Sequence, residues 1–174
     1  ELNFSISPRY ALSEIYAEIL KFNSSILFVN TRAQAEILFE SLWAINDKNK
    51  KIAIHHGSLE KTLRKKVEKE IVEGHVECVI ATSTLDLGLD WGNIDLVMQI
   101  GAPKGVARLV QRIGRANHTI NIPSRAILVP TNCFEFVECV AAKKCVELNF
   151  LEDEKYSDGS LDVLAQHIVG VAIS

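Results

Sequence analysis

The sequence has no apolar run approaching the ~20 residues that a membrane-spanning helix needs, and Glu1 to Tyr10 lack the basic-then-apolar layout of a secretory leader. Both absences read as a soluble, cytoplasmic chain with no membrane partner. Its four cysteines, Cys78, Cys133, Cys139 and Cys145, form no CxxC pair and have no histidine at metal-ligand spacing. Neither a zinc site nor a disulfide framework is expected, and no metal ligands are assigned. No G-x-G-x-x-G follows the first strand-like segment, which leaves a dinucleotide without a cradle. Also missing are G-x-x-x-x-G-K-[ST], the loop that wraps ATP phosphates, and a D-E-x-H or D-E-x-D run to hold magnesium and place a water.

Acidic residues are absent from one long stretch. Between Asp95 and Glu135 there is none, whereas Lys104, Arg108, Arg112, Arg115 and Arg125 lie there with His118 beside them. The net charge is only −3, which argues against nonspecific nucleic-acid binding over the whole surface, so an anion is expected to dock locally on that stretch. The segment from Glu147 to Asp162 is acidic instead, and Ser157, Asp158, Gly159 and Ser160 read as a turn or linker at a boundary. Apolar residues are plentiful: 48% of 174 residues suffices for one compact domain that buries most of its unfolded surface.

Short apolar runs alternate with longer segments of helical period, the signature of a parallel sheet with crossover helices. The strand candidates are Ile26 to Val29, Ile52 to His55, Cys78 to Ala81, Leu96 to Ile100 and Ala126 to Val129. Ala35, Leu38, Leu42 and Ile45 recur at spacings of three and four and predict the buried stripe of one helix. Leu59, Leu63, Val67 and Ile71 predict a second, with Ser58 as its N-cap and Lys61, Arg64, Lys65, Lys66 and Lys69 on its other faces. A third helix follows Gly105, a fourth runs from about Phe134 to Leu148, and Trp43, beside Leu42, reads as core. The fold class is α/β, of the RecA or doubly wound type.

The helix after Gly105 carries the most informative pattern. At about 100° per residue, Val106, Leu109, Val110 and Ile113 gather on one side and Arg108, Gln111, Arg112 and Arg115 on the other. Guanidinium forks bind phosphate oxygens bidentately and keep their charge, so that second face suits a polyanion; a solvated basic face is the alternative reading. Thr82, Ser83 and Thr84 close the third strand, ahead of Gly88 and Asp90. In open α/β sheets ligands bind at the strands' carboxyl ends, where hydroxyls and amides suit phosphates and a carboxylate suits ribose. Asn30, Thr31 and Arg32 close the first strand, and His55, His56, Gly57 and Ser58 the second. Both of these strand ends suit a phosphodiester backbone, and both equally suit helix caps.

Together the four stretches resemble the second-domain motifs of superfamily 2 helicases, in their family order: ILFVNTR, IAIHHGSL, IATSTLDLGLD and QRIGRANH. The run DLGLDWGNIDLVMQIGAPKGVARLVQRIGRANH, with SRAILVP and LDVLAQHIVG, resembles the large helicase-related family, in its bacterial branch associated with DNA ligase. Residues 24–172 carry the resemblance.

That resemblance implies a RecA-like, P-loop-type fold without the P-loop. It implies Arg115 as the arginine finger toward the γ-phosphate of ATP, with Gln111 facing the nucleotide as well. Asp90 and Gly88 with Arg112 and His118 complete the nucleotide side, and Asn30, Thr31, Arg32, His56, Gly57, Ser58, Thr82 and Ser83 line a nucleic-acid track. Where many superfamily 2 members have a second arginine, His118 stands here, as is common in the large helicase-related family. The implied whole is a DNA-repair helicase or translocase, moving 3'-to-5' on single-stranded DNA or a DNA/RNA hybrid. Its ATP and Mg would be held mainly by a first RecA-like domain that carries the missing motifs, so the present chain would not turn over ATP alone. The implied layout is an interdomain connector and first helix at 1–23, the RecA-like domain at 24–156, and the start of a winged-helix domain at 157–174. A DNA ligase or nuclease is an implied partner. A noncatalytic RecA-like or Rossmann-type binding module is the competing reading.

Overall fold

A computed structural model describes residues 8–85, 94–115, 125–151, 165–169 and 171. In chain order the elements are α1 (Pro8–Ile19), β1 (Ser25–Phe28), α2 (Arg32–Ala44), β2 (Ile52–His55), α3 (Lys61–Val72) and β3 (Cys78–Ala81). A 3-10 turn (Ser83–Leu85) follows, then β4 (Leu96–Ile100), α4 (Val106–Ile113), β5 (Ala126–Val129) and α5 (Cys133–Glu147). The five strands form one sheet in the order β2-β3-β1-β4-β5, and every pairing is parallel.

Strands β1, β3 and β4 (SILF, CVIA, LVMQI) are buried along their whole length, because a parallel sheet is covered by helices on both faces and needs apolar side chains in both directions. Alternate residues divide between two cores. Leu27, Val29, Cys78, Ile80, Leu96 and Met98 pack with Ile15, Tyr16 and Ile19 of α1 and Ala35 and Leu42 of α2. Ile26, Phe28, Val79, Ala81 and Val97 pack with Ile71 of α3 and with Leu85. Leu128 joins Val106 and Leu109 of α4 and Ala142 of α5 in a third cluster. Among the described residues no helix is long and apolar enough to cross a membrane, and the four cysteines are free. Burial pushes the Cys78 thiol up to about 12 and the Cys139 thiol up to about 11, which makes both poor nucleophiles.

All five expected strands are present; only the first shifts, by one residue, and Val29 still donates its N–H to the Ala81 carbonyl at 2.9 Å. The helices depart more. Ser58 is not the N-cap of α3, which starts after Glu60 without a side-chain cap, because the chain first makes a turn closed by Leu59 N–H to the His56 carbonyl at 3.1 Å. Leu63 is accordingly exposed on α3, and Ile45 sits at the C-cap of α2. Trp43 is not core: it is 58% exposed and stacks on Phe39 with ring centroids 5.8 Å apart. One helical step from buried Leu42 turns it about 100° away. Of the segment read as a winged-helix start, residues 165–169 are helical and exposed; most of the rest lies outside the described residues.

Carboxylates close the amino-terminal edge of the sheet. Asp95 Oδ2 accepts from the backbone N–H groups of Asn23 and Ser24 at 3.1 and 3.0 Å. Glu77 accepts from the Lys51 N–H at 2.9 Å and from Lys50 Nζ at 3.0 Å, while Lys50 Nζ also donates to the Phe22 carbonyl. The Lys51 N–H first, then Lys50, holds the Glu77 carboxyl below its ordinary 4.5. A carboxylate whose folded pKa is depressed contributes stability above its unfolded pKa and loses it as pH falls toward the folded value. Glu77→Gln is expected to lower the unfolding free energy by roughly 1 kcal/mol at neutral pH, water screening keeping the effect small. Denaturant titrations of both proteins should converge as pH is taken below 4.5.

Candidate functional site at the carboxyl edge of the sheet

Because all strands run the same way, their carboxyl ends emerge on one edge. Ligands of open α/β sheets bind there, near the point where strand order reverses. Here the chain builds β1, β2 and β3 to one side and then crosses to β4 and β5 on the other. Across that reversal Asn30 Nδ2 donates to the Ala102 carbonyl at 2.9 Å. Gly101 lies beneath with φ +85°, and a Cβ there would come 3.0 Å from Asn30 Nδ2 and 3.3 Å from Glu135 Oε1. Glycine is required by both conformation and space.

Thr31 is the N-cap of α2. Its Oγ1 accepts from the Gln34 N–H at 3.2 Å, and Gln34 Oε1 accepts from the Thr31 and Asn30 N–H groups, each at 3.1 Å. This capping box uses the threonine oxygen only as an acceptor. Arg32 projects from the first turn, 59% exposed along its side chain, with Nε donating to Glu36 Oε1 at 2.8 Å. On the neighbouring ends Gly57, Ser58 and Ser83 are exposed and Thr82 is half-buried. Thr82 donates its N–H to the His55 carbonyl at 3.2 Å, and a Cβ on Gly57 would stand 3.4 Å from Thr84 Cγ2.

The two histidines are turned inward. His56, placed by sequence on the track, is 4% exposed; its Nε2 lies 3.6 Å from Glu36 Oε1, and its Nδ1 has no hydrogen-bond partner among the described residues. Its ring therefore does not face the edge as Gly57 and Ser58 do. His55 is 1% exposed, with Nε2 2.9 Å from Glu68 Oε1 and Nδ1 3.0 Å from Thr84 Oγ1. Burial above all depresses its pKa below the usual 6.5, against the raising effect of Glu68.

On α4 the expectation for Arg112 is corrected. The sequence grouped it with Arg108, Gln111 and Arg115 on an anion-presenting face; the structure buries it, at 2% exposure. Its Nη1 donates to Gln99 Oε1, and its guanidinium stacks 4.6 Å from the centroid of the Phe28 ring. The physical reason is helical geometry plus a waiting partner. Arg112 lies about 60° from Leu109 around the helix, and Gln99 is a polar side chain on a fully buried strand, which needs a hydrogen bond. Val110, grouped with the packed face, is 38% exposed instead. Gln111 and Arg108 are exposed, and Arg115 is half-buried in the turn after Gly114. Gly88, Asp90 and His118 lie outside the described residues, as does Trp91.

Three residues with structural weight at this edge escaped the sequence reading as site residues, Glu68, Gln99 and Phe28, while His55, named there as a strand-end group, turns inward instead. For Gln99 a signal existed, a polar residue inside an apolar strand run. For Glu68 and Phe28 none did. Among the described residues the one grouping with metal-like spacing, Glu70, Glu73 and His75, is a surface cluster around the C-terminal end of α3, where His75 Nδ1 pairs with Glu70 Oε2 at 3.2 Å.

A five-stranded parallel sheet of this order, with helices on both faces and hydroxyl-bearing strand ends along one edge, is a RecA-like domain. Residues 9–119 match the helicase conserved C-terminal domain family, and the chain belongs to that family. It is 36% identical over 156 residues to the ATP-dependent helicase Lhr-Core protein 2 of Thermococcus barophilus, covering 89% of this chain and 18% of that protein. The structure of the Mycobacterium smegmatis helicase Lhr bound to ssDNA and AMP-PNP superposes with a TM-score of 0.88 at 34% identity, over 99% of this chain and 23% of that one. The C-terminal domain of the DEAD-box protein Dbp5 shares the fold, with a TM-score of 0.67 at 21% identity and 81% of each chain covered. The resemblance to the large helicase-related family is thus borne out. The chain spans about a fifth of the length of the curated relatives it matches.

Arg112→Ala is expected to destabilise the fold by roughly 2–4 kcal/mol, because it leaves Gln99 Oε1 short of a donor and strips the Phe28 face. Gln111→Ala, on the exposed side of the same helix, should stay within about 0.5 kcal/mol of the parent. Equilibrium urea unfolding of the two variants makes the comparison.

Proposed function

We propose that this chain is the second motor domain of an ATP-dependent DNA helicase or translocase, supplying an arginine finger and half of a nucleic-acid track. The observation that carries the reading is the gathering of Asn30, Thr31, Arg32, Gly57, Ser58, Thr82 and Ser83 on neighbouring carboxyl ends of one parallel sheet. Backbone N–H groups, hydroxyls and one exposed guanidinium form the contact class that holds a phosphodiester without reading its sequence. Single-stranded DNA is the first candidate ligand and a DNA/RNA hybrid the second. Support comes from the M. smegmatis relative, which carries ssDNA and AMP-PNP.

On the nucleotide side, ATP with Mg would sit mainly on a first RecA-like domain. Exposed Gln111 and half-buried Arg115, the latter beyond Gly114, in a stretch free of acidic residues, fit the γ-phosphate side of such a cleft. Asp90, Gly88 and His118 complete the proposed nucleotide contacts. Arg112 leaves that set: its guanidinium holds α4 in place, and through α4 it sets where Gln111 and Arg115 lie. ATP hydrolysis supplies the free energy. Arg115 stabilises charge on the transferring phosphoryl group, and closure of the two domains is coupled to a step of the strand-end grip. Residues 24–156 form the RecA-like domain in this reading, preceded by a connector and first helix and followed from residue 157 by the start of a winged-helix domain. Translocation runs 3'-to-5', with a role in DNA repair beside a ligase or nuclease.

In the full-length protein, Arg115→Ala is expected to cut DNA-stimulated ATP turnover by roughly 10³-fold or more, with ATP affinity little changed. Unchanged turnover would assign the finger elsewhere, or make this a noncatalytic member of its family. Arg32→Ala should weaken binding of a single-stranded oligonucleotide and reduce the slope of log affinity against log salt by about 1, with an unchanged far-UV dichroism spectrum. Binding indifferent to salt would contradict the track.

A further inference from the structure

We propose that Glu68, His55 and Thr84 form a hydrogen-bonded relay that fixes the direction of the Thr84 hydroxyl beside Thr82, making Glu68 and His55 positioning residues for the nucleic-acid edge. The proposal rests on the reading above that Thr82 and Ser83 lie on that edge.

Three elements meet at His55. The ring belongs to the last residue of β2 and is 1% exposed. Its Nε2 is 2.9 Å from Glu68 Oε1 on α3, and its Nδ1 is 3.0 Å from Thr84 Oγ1 in the 3-10 turn. An ionised carboxylate only accepts hydrogen bonds, so Glu68 places the single proton of the neutral ring on Nε2. Nδ1 is then an acceptor, and Thr84 must donate to it. Two packing contacts hold Thr84 in that orientation. Its methyl faces Gly57, where a Cβ would stand only 3.4 Å away, and the next residue, Leu85, is 1% exposed in the core beneath the turn.

The consequence is a defined polarity at the edge. With its proton directed inward, Thr84 offers only lone pairs, and Thr82 Oγ1, 3.5 Å from Thr84 Oγ1, is the donor between the two hydroxyls unless a phosphate competes for its proton. When the ring takes a second proton, Nδ1–H becomes a donor to Thr84, and the Thr84 proton turns outward as a further donor to an anion. Besides Glu68, which favours the protonated ring, Arg64 of α3 and His56 at the end of β2 act on it among the described residues, and both oppose protonation. Burial opposes it more strongly than either. The inward polarity therefore holds at neutral pH, and the outward one is reached on acidification.

The relay and its effect on binding are separable by experiment. In the full chain labelled with 15N-histidine, long-range 1H–15N correlation at neutral pH should show His55 protonated at Nε2 and bare at Nδ1. Glu68→Gln, whose amide both donates and accepts, should release that preference. Anisotropy titrations with a fluorescent oligothymidylate should show wild-type affinity rising, as pH is taken from about 7.5 to well below the ordinary histidine value of 6.5, by three- to tenfold more than that of Thr84→Val, the scale of one hydrogen bond to a charged group. Thr84→Ser should restore the pH response, and Thr82→Val should weaken binding throughout. A proton on Nδ1 overturns the relay. So does a wild-type pH response in Thr84→Val while Thr82→Val weakens binding, an outcome that leaves the track standing. Wild-type affinity in Thr82→Val removes the track itself, and with it the role given to His55 and Glu68.

Discussion

A buried guanidinium holds the two halves of the sheet and the basic helix in one arrangement. Arg112 reaches from α4 to Gln99 of β4 and to the ring of Phe28 on β1, the two strands that flank the reversal in strand order. Taking a cation out of water costs several kcal/mol, a cost offset by a charge-assisted hydrogen bond and an aromatic face. Gln99 serves both ends of its amide. Its oxygen takes Arg112, while its Nε2 donates to the Ile100 and Gly101 carbonyls at 3.2 and 3.3 Å. One side chain thereby ties the loop leaving β4 to the helix that follows. The placement of every exposed group on α4 is inherited from that joint.

The two edges of the sheet are finished differently, and the difference fits a fold that presents ligand groups on one side only. At the amino-terminal edge Glu77 engages both of its oxygens, with a backbone N–H and a lysine, and Asp95 Oδ2 takes two backbone N–H groups. At the carboxyl edge the loops are held by neutral caps: Gln34 against Thr31 and Asn30, Asn30 against Ala102, and Asn132 against the N–H groups of Phe134 and Glu135. These interactions fix the backbone without adding negative charge at the reversal point. Glu135, which does lie close by, is occupied by Thr131 through both its N–H and its hydroxyl.

The strands were legible because their burial on both faces leaves uninterrupted apolar runs, and a run such as CVIA or LVMQI has few other uses in a chain of this size. The order of the motifs along those strands made the family legible too. Side-chain direction was not. Arg112 sits at the border of the helical wheel, and only the distant Gln99 decides which way it turns. His55 and His56 are adjacent in sequence and both buried, yet one is bracketed by Glu68 and Thr84 while the other has a nitrogen with no partner among the described residues. Those partners lie on separate elements, so no local pattern distinguishes the two rings. Trp43 was misread for the opposite reason: its neighbour Leu42 is core, and adjacency along a helix says little about the shared face.

Strand β1 is the middle of the sheet, yet its neighbours come late. Ser25 pairs with Cys78 on one side and with Leu96 on the other, so a fully buried strand precedes both of its flanks in the chain and waits for them. During that interval SILF can be shielded only by local helices, α1 before it and α2 after it, whose side chains share its first core. Loop-closure entropy must be met before the long-range pairings return anything. The helices on either side of β1 are therefore the local shelter of that strand, and the docking of β4 beside it places Gln99 where the Arg112 guanidinium meets it at the reversal point.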